Sequence, residues 1–244
     1  MMKFFTKKPV ELHCYTYRPD VFNYAPIQMS VETPRKTLKK IAGAEKTTSA
    51  KHCPSIRSIF NLGITMPLWS DLELQIPSMG DESAQWRYQY SDLQSSVDSH
   101  FFAQLNAPEQ DKKFLCLKLE SPWLFQCADE VDFLVMGEQL ELLKYGPVQT
   151  MNGVLNFKYQ HGTNINIIVS KKESKEQFVL PFFTPILRLM PLTERKVTVV
   201  NHLITKEHFS NLKSSATKFS FSASYYQRKK AMAGKKSFVY TPEK

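Results

Sequence analysis

Glycine is scarce in this chain, with 8 in 244 residues. None falls in a GxGxxG or GxxxxGK[ST] pattern. A loop that cradles phosphate needs glycine where its backbone approaches the ligand, so P-loop and dinucleotide chemistry drop out of the expectations. There is no G-x-S-x-G nucleophile elbow. No HxD or HxE occurs, which removes the local signature of a two-His, one-carboxylate iron site. The 4 cysteines (Cys14, Cys53, Cys116 and Cys127) form no CxxC and read as buried or free thiols in a reducing compartment. The pairs His13-Cys14 and His52-Cys53 would together supply a His and Cys ligand set for zinc. Neighbours on a strand point to opposite faces, however, so neither pair chelates easily. No apolar run reaches the roughly 18–20 residues that cross a bilayer. The segment MMKFFTKKPVELHC lacks the apolar stretch and small-residue cleavage site of a secretory signal. These absences predict a soluble, cytoplasmic protein with no membrane partner, no metal and no cofactor.

What is present is an ordinary globular composition, 42% hydrophobic and 12% aromatic, too apolar for a wholly disordered chain. The net charge of +9 is unevenly placed: +6 over residues 1–52, −4 over 53–207 and +7 over 208–244. The basic character therefore belongs to the two ends. A basic end contacts phosphates or an acidic protein face, or simply solubilises the chain.

Hydrophobic periodicity outlines many short strands. PVELHCYT (9–16) alternates, and 18–26 reads as loop. Thr33-Pro34 opens a short helix with Arg35, Lys36, Lys39 and Lys40 on its face and Gly43 at its end. A second helix spans 54–62. From Ile64 the period becomes two, with Leu68, Ser70, Leu72, Leu74 and Ile76 opposing Trp69, Asp71, Glu73 and Gln75 on one half-buried strand. Trp86, Tyr88 and Tyr90 mark its hairpin partner. Residues 95–113 read as irregular. Leu115, Leu117 and Leu119 form a strand that bends at Ser121-Pro122, and Val131, Phe133 and Val135 form another. Leu155, Phe157, Tyr159 and His161 share one strand face, and Ile165, Ile167 and Val169 share the next. Pro181, Pro185 and Pro191 fit strand ends and sheet edges, not the middle of a ladder. A last strand covers 196–203, and Thr205 caps a short helix, 206–212. Strands with Pro and Gly turns, and no strand–helix alternation, predict a mainly β protein: an antiparallel sandwich or barrel-like fold with a few short peripheral helices. Residues 1–212 read as a single β-rich domain and 213–244 as a basic C-terminal arm.

Two groups of side chains qualify as candidate sites. Tyr225, Tyr226, Arg228, Lys229, Lys230, Lys235 and Lys236 combine stacking and phosphate-binding chemistry, and with the basic 35–40 face they predict contact with a protein or nucleic-acid partner. Trp69, Asp71, His161 and His202 form a candidate pocket. The bland alternative makes the aromatics core residues and the histidines hydrogen-bonded strand residues.

Several blocks (PVELHCYT, CPSIRSIFNLGITMPLWSDLEL, SPWLF, GVLNFKYQHGTNINIIV and FVLPFFTPILRLMPLTERKV) resemble a family of uncharacterised proteins of tailed bacteriophages, marine and cyanobacterial phages among them. The resemblance covers most of residues 9–209. It implies a phage-encoded β-rich domain, found in the host cytoplasm during infection or in the virion, and it supplies no catalytic residue. Family members often carry Gly before the Thr-Pro of the last block. Phe183 stands there in this chain, which predicts against a tight turn at that point. The leading expectation is a non-enzymatic accessory protein that binds a host or phage macromolecule through basic surfaces. An iron-oxygenase-like enzyme on a double-stranded β-helix and a virion component are the competing ones.

Overall fold

The computed structural model describes residues 8–29, 54–55, 62–79, 85–88, 97–100, 107–138, 142, 144–146 and 148–217. The protein is mainly β. Strands β1 (Val10–Thr16), β6 (Val97–His100), β7 (Phe114–Cys127), β9 (Val148–Thr150), β11 (Gly162–Ser170) and β14 (Val197–Leu203) make a first sheet, in the order β14-β1-β7-β11-β9 with β6 also on β7. A second sheet runs β10-β8-β13-β3-β2, from β10 (Gly153–Asn156), β8 (Asp132–Gly137), β13 (Pro185–Pro191), β3 (Ile64–Pro67) and β2 (Gln28–Met29). A third runs β12-β4-β5, from β12 (Glu176–Leu180), β4 (Leu72–Ile76) and β5 (Gln85–Tyr88). Helices α1 (Pro19–Tyr24) and α2 (Lys206–Thr217) lie in the segments that follow β1 and β14. The pairing is antiparallel except for β1 and β14, which run parallel.

One hydrophobic core draws on all three sheets. Leu12, Leu119, Phe125 and Ile167 enter it from the first, Ile64, Phe133 and Leu189 from the second, and Leu72, Leu74 and Leu180 from the third. Phe157 joins two of them, its ring 4.8 Å from Phe125 and 5.0 Å from Phe133. Trp69 and Trp123 are buried in the same core.

The alternation read from sequence places several strands directly. Leu72, Leu74 and Ile76 are buried while Gln75 is exposed, and β5 pairs with β4 in a register that sets Trp86 beside Leu74. Ile165, Ile167 and Val169 are buried on β11. Pro185 and Pro191 are the two end residues of β13. Since β13 pairs on both sides, it is an interior strand of its sheet with prolines confined to its ends.

Other expectations are corrected. The 18–26 segment holds a helical turn, because Pro19 suits the first helical position and Asp20 the first turn. The single strand expected from Ile64 is two strands in different sheets, separated at 68–71. The irregular 95–113 stretch contains β6 and a 3-10 turn, Pro108–Lys112. The strand expected to bend at Pro122 is continuous. Between the pairs Leu124–Gly162 and Glu120–Asn164, β7 carries more residues than β11, so Pro122 sits in a bulge where its missing N–H breaks no ladder bond. Leu155–His161 is not one strand: β10 stops at Asn156, whose carbonyl accepts the N–H groups of Tyr159 and Gln160 in a turn.

Candidate functional site

The outer face of the first sheet brings polar and aromatic side chains together. On β1, Leu12 and Cys14 point into the core, so Glu11, His13 and Tyr15 point outward. Parallel pairing sets Tyr15 beside His202 of β14. The rings of His13 and His202 lie nearly parallel with centroids 5.2 Å apart, and Tyr15 stacks on His202 at 4.8 Å. His13 Nδ1 is 2.9 Å from His202 Nε2, and His13 Nε2 is 3.6 Å from a Glu11 carboxylate oxygen.

That order fixes the proton positions. The carboxylate favours the His13 tautomer protonated on Nε2, which leaves Nδ1 to accept from His202 Nε2–H. Burial holds the basicity of both rings below the ordinary range. For His13, Glu11 offsets part of the effect, and for His202 the neighbouring His13 adds to it. A histidine depressed on folding contributes stability above about pH 6.5 and loses it as the pH falls.

Helix α2 lies over the same face. Thr205 Oγ1 accepts the backbone N–H of His208 at 3.2 Å, the N-cap expected from sequence. The helix continues to Thr217, beyond the expected end at Leu212, and Lys213 ion-pairs with Glu120 of β7. Tyr15, Leu124, Ile204 and Phe209 form a small separate cluster beneath it, flanked by Tyr17 and Leu212. Burial lowers the basicity of His161, an effect that the nearby Leu212 carbonyl partly offsets. Thr205→Ala is expected to cost about 1 kcal/mol, the usual value for a lost cap, read as a lower denaturation midpoint.

A second feature stands at the turn between β12 and β13. Phe183 N–H donates to Leu68 O at 2.8 Å, Thr184 N–H to Pro181 O at 3.1 Å and Phe182 N–H to Asp71 Oδ1 at 2.5 Å. This is a tight turn, contrary to the expectation drawn from the missing glycine. Phe183 fills the position with φ 65°, where glycine is favoured. Both rings remain partly in solvent, Phe182 at 40% and Phe183 at 45% exposure.

The candidate pocket is not assembled as one site. Trp69 is a core residue, and Asp71 braces the Phe182 turn. His202 is on the first sheet's outer face, stacked on Tyr15, whereas His161 stands just before β11. Sequence reasoning missed the pairing of His13 with His202. The Glu11, His13 and Tyr15 alternation shows a shared face, but nothing local names β14 as the neighbour. Cys14 faces the core, opposite His13, and burial raises its thiol well above the usual range. Among the described residues no three His, Cys, Asp or Glu side chains gather into a metal-binding group, and no helix is long and apolar enough to cross a membrane. His52, Cys53, Arg35, Lys36, Lys39, Lys40, Tyr225, Tyr226, Arg228, Lys229, Lys230, Lys235 and Lys236 lie outside the described residues. No protein-family model matches the chain, and no curated protein matches it significantly.

Proposed function

We propose that this chain is a phage-encoded, non-enzymatic accessory protein that binds a macromolecular partner in the host cytoplasm. The observation that carries the reading is the Phe182–Phe183 turn. An L-residue with a bulky side chain costs about 1–2 kcal/mol in the left-handed region, and such strain persists where the surroundings over-determine it and function uses it. Here Asp71, Leu68 and Pro181 hold the turn while both rings stay partly in solvent. Rigid, exposed aromatics are the usual anchors of protein interfaces, because little conformational freedom is lost when they bind. The basic ends, +6 and +7, add long-range attraction to an acidic partner.

The test separates stability from binding. Phe183→Gly is expected to leave stability unchanged or raise it by up to about 1 kcal/mol, since glycine fits the turn without strain. The same variant should lose the partner that the wild-type protein cross-links in lysate of infected cells. A variant that melts well below wild type, or that keeps the partner, removes the turn from the binding surface. Capture unchanged on deleting residues 218–244, and insensitive to salt, removes the basic end.

A further inference from the structure

The His13–His202 pair has the layout of two metal ligands, one of them already oriented. Both side chains come from strands paired in parallel along their whole length, Val10–Thr16 against Val197–Leu203. His13 lies opposite Val200 and His202 opposite Tyr15, so the two histidines are diagonal neighbours on one face. Their near nitrogens, His13 Nδ1 and His202 Nε2, are 2.9 Å apart, and the rings are 15° from parallel. Two imidazole nitrogens on a tetrahedral Zn²⁺ ion, each at about 2.0–2.1 Å, stand about 3.3 Å from one another. The pair therefore opens by only about 0.4 Å, with a turn of each ring, to take an ion in place of the shared proton. The surroundings suit that use. The Glu11 carboxylate stands 3.6 Å from the other nitrogen of His13, Nε2. A carboxylate there keeps the proton on Nε2 and leaves Nδ1 as the ligand. The Tyr15 ring stacks on His202 at 4.8 Å and limits its turning. Burial holds both rings below their ordinary basicity, which favours the unprotonated form that binds metal. Cys14 faces the core and stays out of the group.

We propose that His13 Nδ1 and His202 Nε2 form an open two-histidine site for a divalent transition-metal ion of the Zn²⁺ or Cu²⁺ kind, with Glu11 positioning His13. Imidazole nitrogen suits these ions, whereas Mg²⁺ and Ca²⁺ take oxygen ligands. On binding, two nitrogen–metal bonds form and the hydrogen bond between the rings breaks. The proton on His202 Nε2 moves through solvent to Nδ1 of the same ring, and His13 keeps its proton on Nε2. The neutral pair releases no net proton. Water fills the remaining positions on the ion, as it does where a protein supplies fewer than four ligands. The ion joins β1 to β14, whose two histidines are 189 residues apart in the chain. An ion that binds only where the two strands are paired favours the folded state in proportion to 1 + [metal]/Kd. The inference does not depend on the Phe182–Phe183 reading.

Calorimetric titration of the full chain with ZnCl₂, and separately with CuCl₂, at pH 7.5 tests it. A site should appear that either His13→Gln or His202→Gln removes. His208→Gln, a change at an exposed histidine of α2, should keep it. Cu²⁺ should bind more tightly than Zn²⁺, and Mg²⁺ should not compete. Glu11→Gln should weaken Zn²⁺ binding by roughly 10–100-fold, the usual effect of losing the group behind a ligating histidine. Zn²⁺ at about 100 times Kd should multiply the folded-to-unfolded ratio about a hundredfold, and His13→Gln should lose that response. Three results overturn the proposal: no Zn²⁺ or Cu²⁺ bound, binding unchanged in either histidine variant, or Glu11→Gln as tight as wild type. Should the histidine variants fail to fold, ring NMR of the wild-type protein decides. Substoichiometric Cu²⁺ should broaden the His13 and His202 ring signals before those of the other histidines. Broadening that begins elsewhere sinks the idea.

Discussion

Replacing Arg188 by alanine is expected to lower stability by about 3–5 kcal/mol, the usual cost of stranding one partner of a buried ion pair. Arg188 lies on β13, and its Nη2 is 2.5 Å from a carboxylate oxygen of Glu138, with side-chain exposures of only 6% and 9%. Its Nη1 donates to the Leu62 carbonyl at 3.0 Å. Removing the guanidinium leaves a carboxylate and a carbonyl without their cation in a nearly dry place. The guanidinium also ties three segments together: the chain leading into β3, the interior strand β13 and the end of β8. A denaturant titration of Arg188→Ala measures the loss. The double replacement Arg188→Met with Glu138→Leu separates stability from charge, because exchanging both partners for apolar groups is often neutral or better. If the double variant is as unstable as the single one, the pair does more than balance charge.

The second large effect is expected at Gly63, beside Arg188. Gly63 has φ +97°, and a Cβ there would stand 2.8 Å from the Leu189 carbonyl oxygen and 3.2 Å from Arg188 Cγ. The contact with Leu189 is to backbone of an interior strand, which cannot swing aside as a side chain can. Gly63→Ala therefore meets two penalties, an unfavourable φ and a forced shift of β13. Together they are expected to cost roughly 2–4 kcal/mol. Because the new methyl also presses on Arg188, the two substitutions share a neighbour and should not add. A double-mutant cycle of Gly63→Ala and Arg188→Ala is expected to show coupling, and strict additivity would separate the two sites.

Both effects depend on contacts between residues far apart in the chain, and that is where sequence reading stops. Period-two alternation is local, so the faces of β4 and β11 were legible, as was the cap at Thr205. The turn chemistry of prolines marked the ends of β13. Alternation does not name a partner. Val10–Thr16 reads as a strand but not as the neighbour of Val197–Leu203, and so the His13–His202 pair stayed hidden. Pro122 was read as a bend because proline cannot serve a ladder, yet a bulge accommodates it inside a continuous β7. Phe183 was read against a tight turn because the local preference is for glycine. Three hydrogen bonds donated by the turn, two of them to the distant Leu68 and Asp71, outweigh that preference. His161 was placed on a strand face by spacing, whereas the turn after Asn156 leaves it just ahead of β11.

The parallel pairing of β1 with β14 also bears on how the molecule is made. Arg195 bonds to the carbonyls of Lys8 and Pro9 and to Asp129, so the turn before β14 secures the start of β1. During synthesis, β1 emerges long before its parallel partner β14, so one side of β1 stays open until residue 203 has left the ribosome. An unpaired strand edge is a template for association with other chains, and pairings of such long sequence separation form slowly. The nascent chain therefore has a long interval in which it is open to chaperones and to aggregation. Translation that pauses before β14 should lower the yield of folded protein more than a pause placed after it.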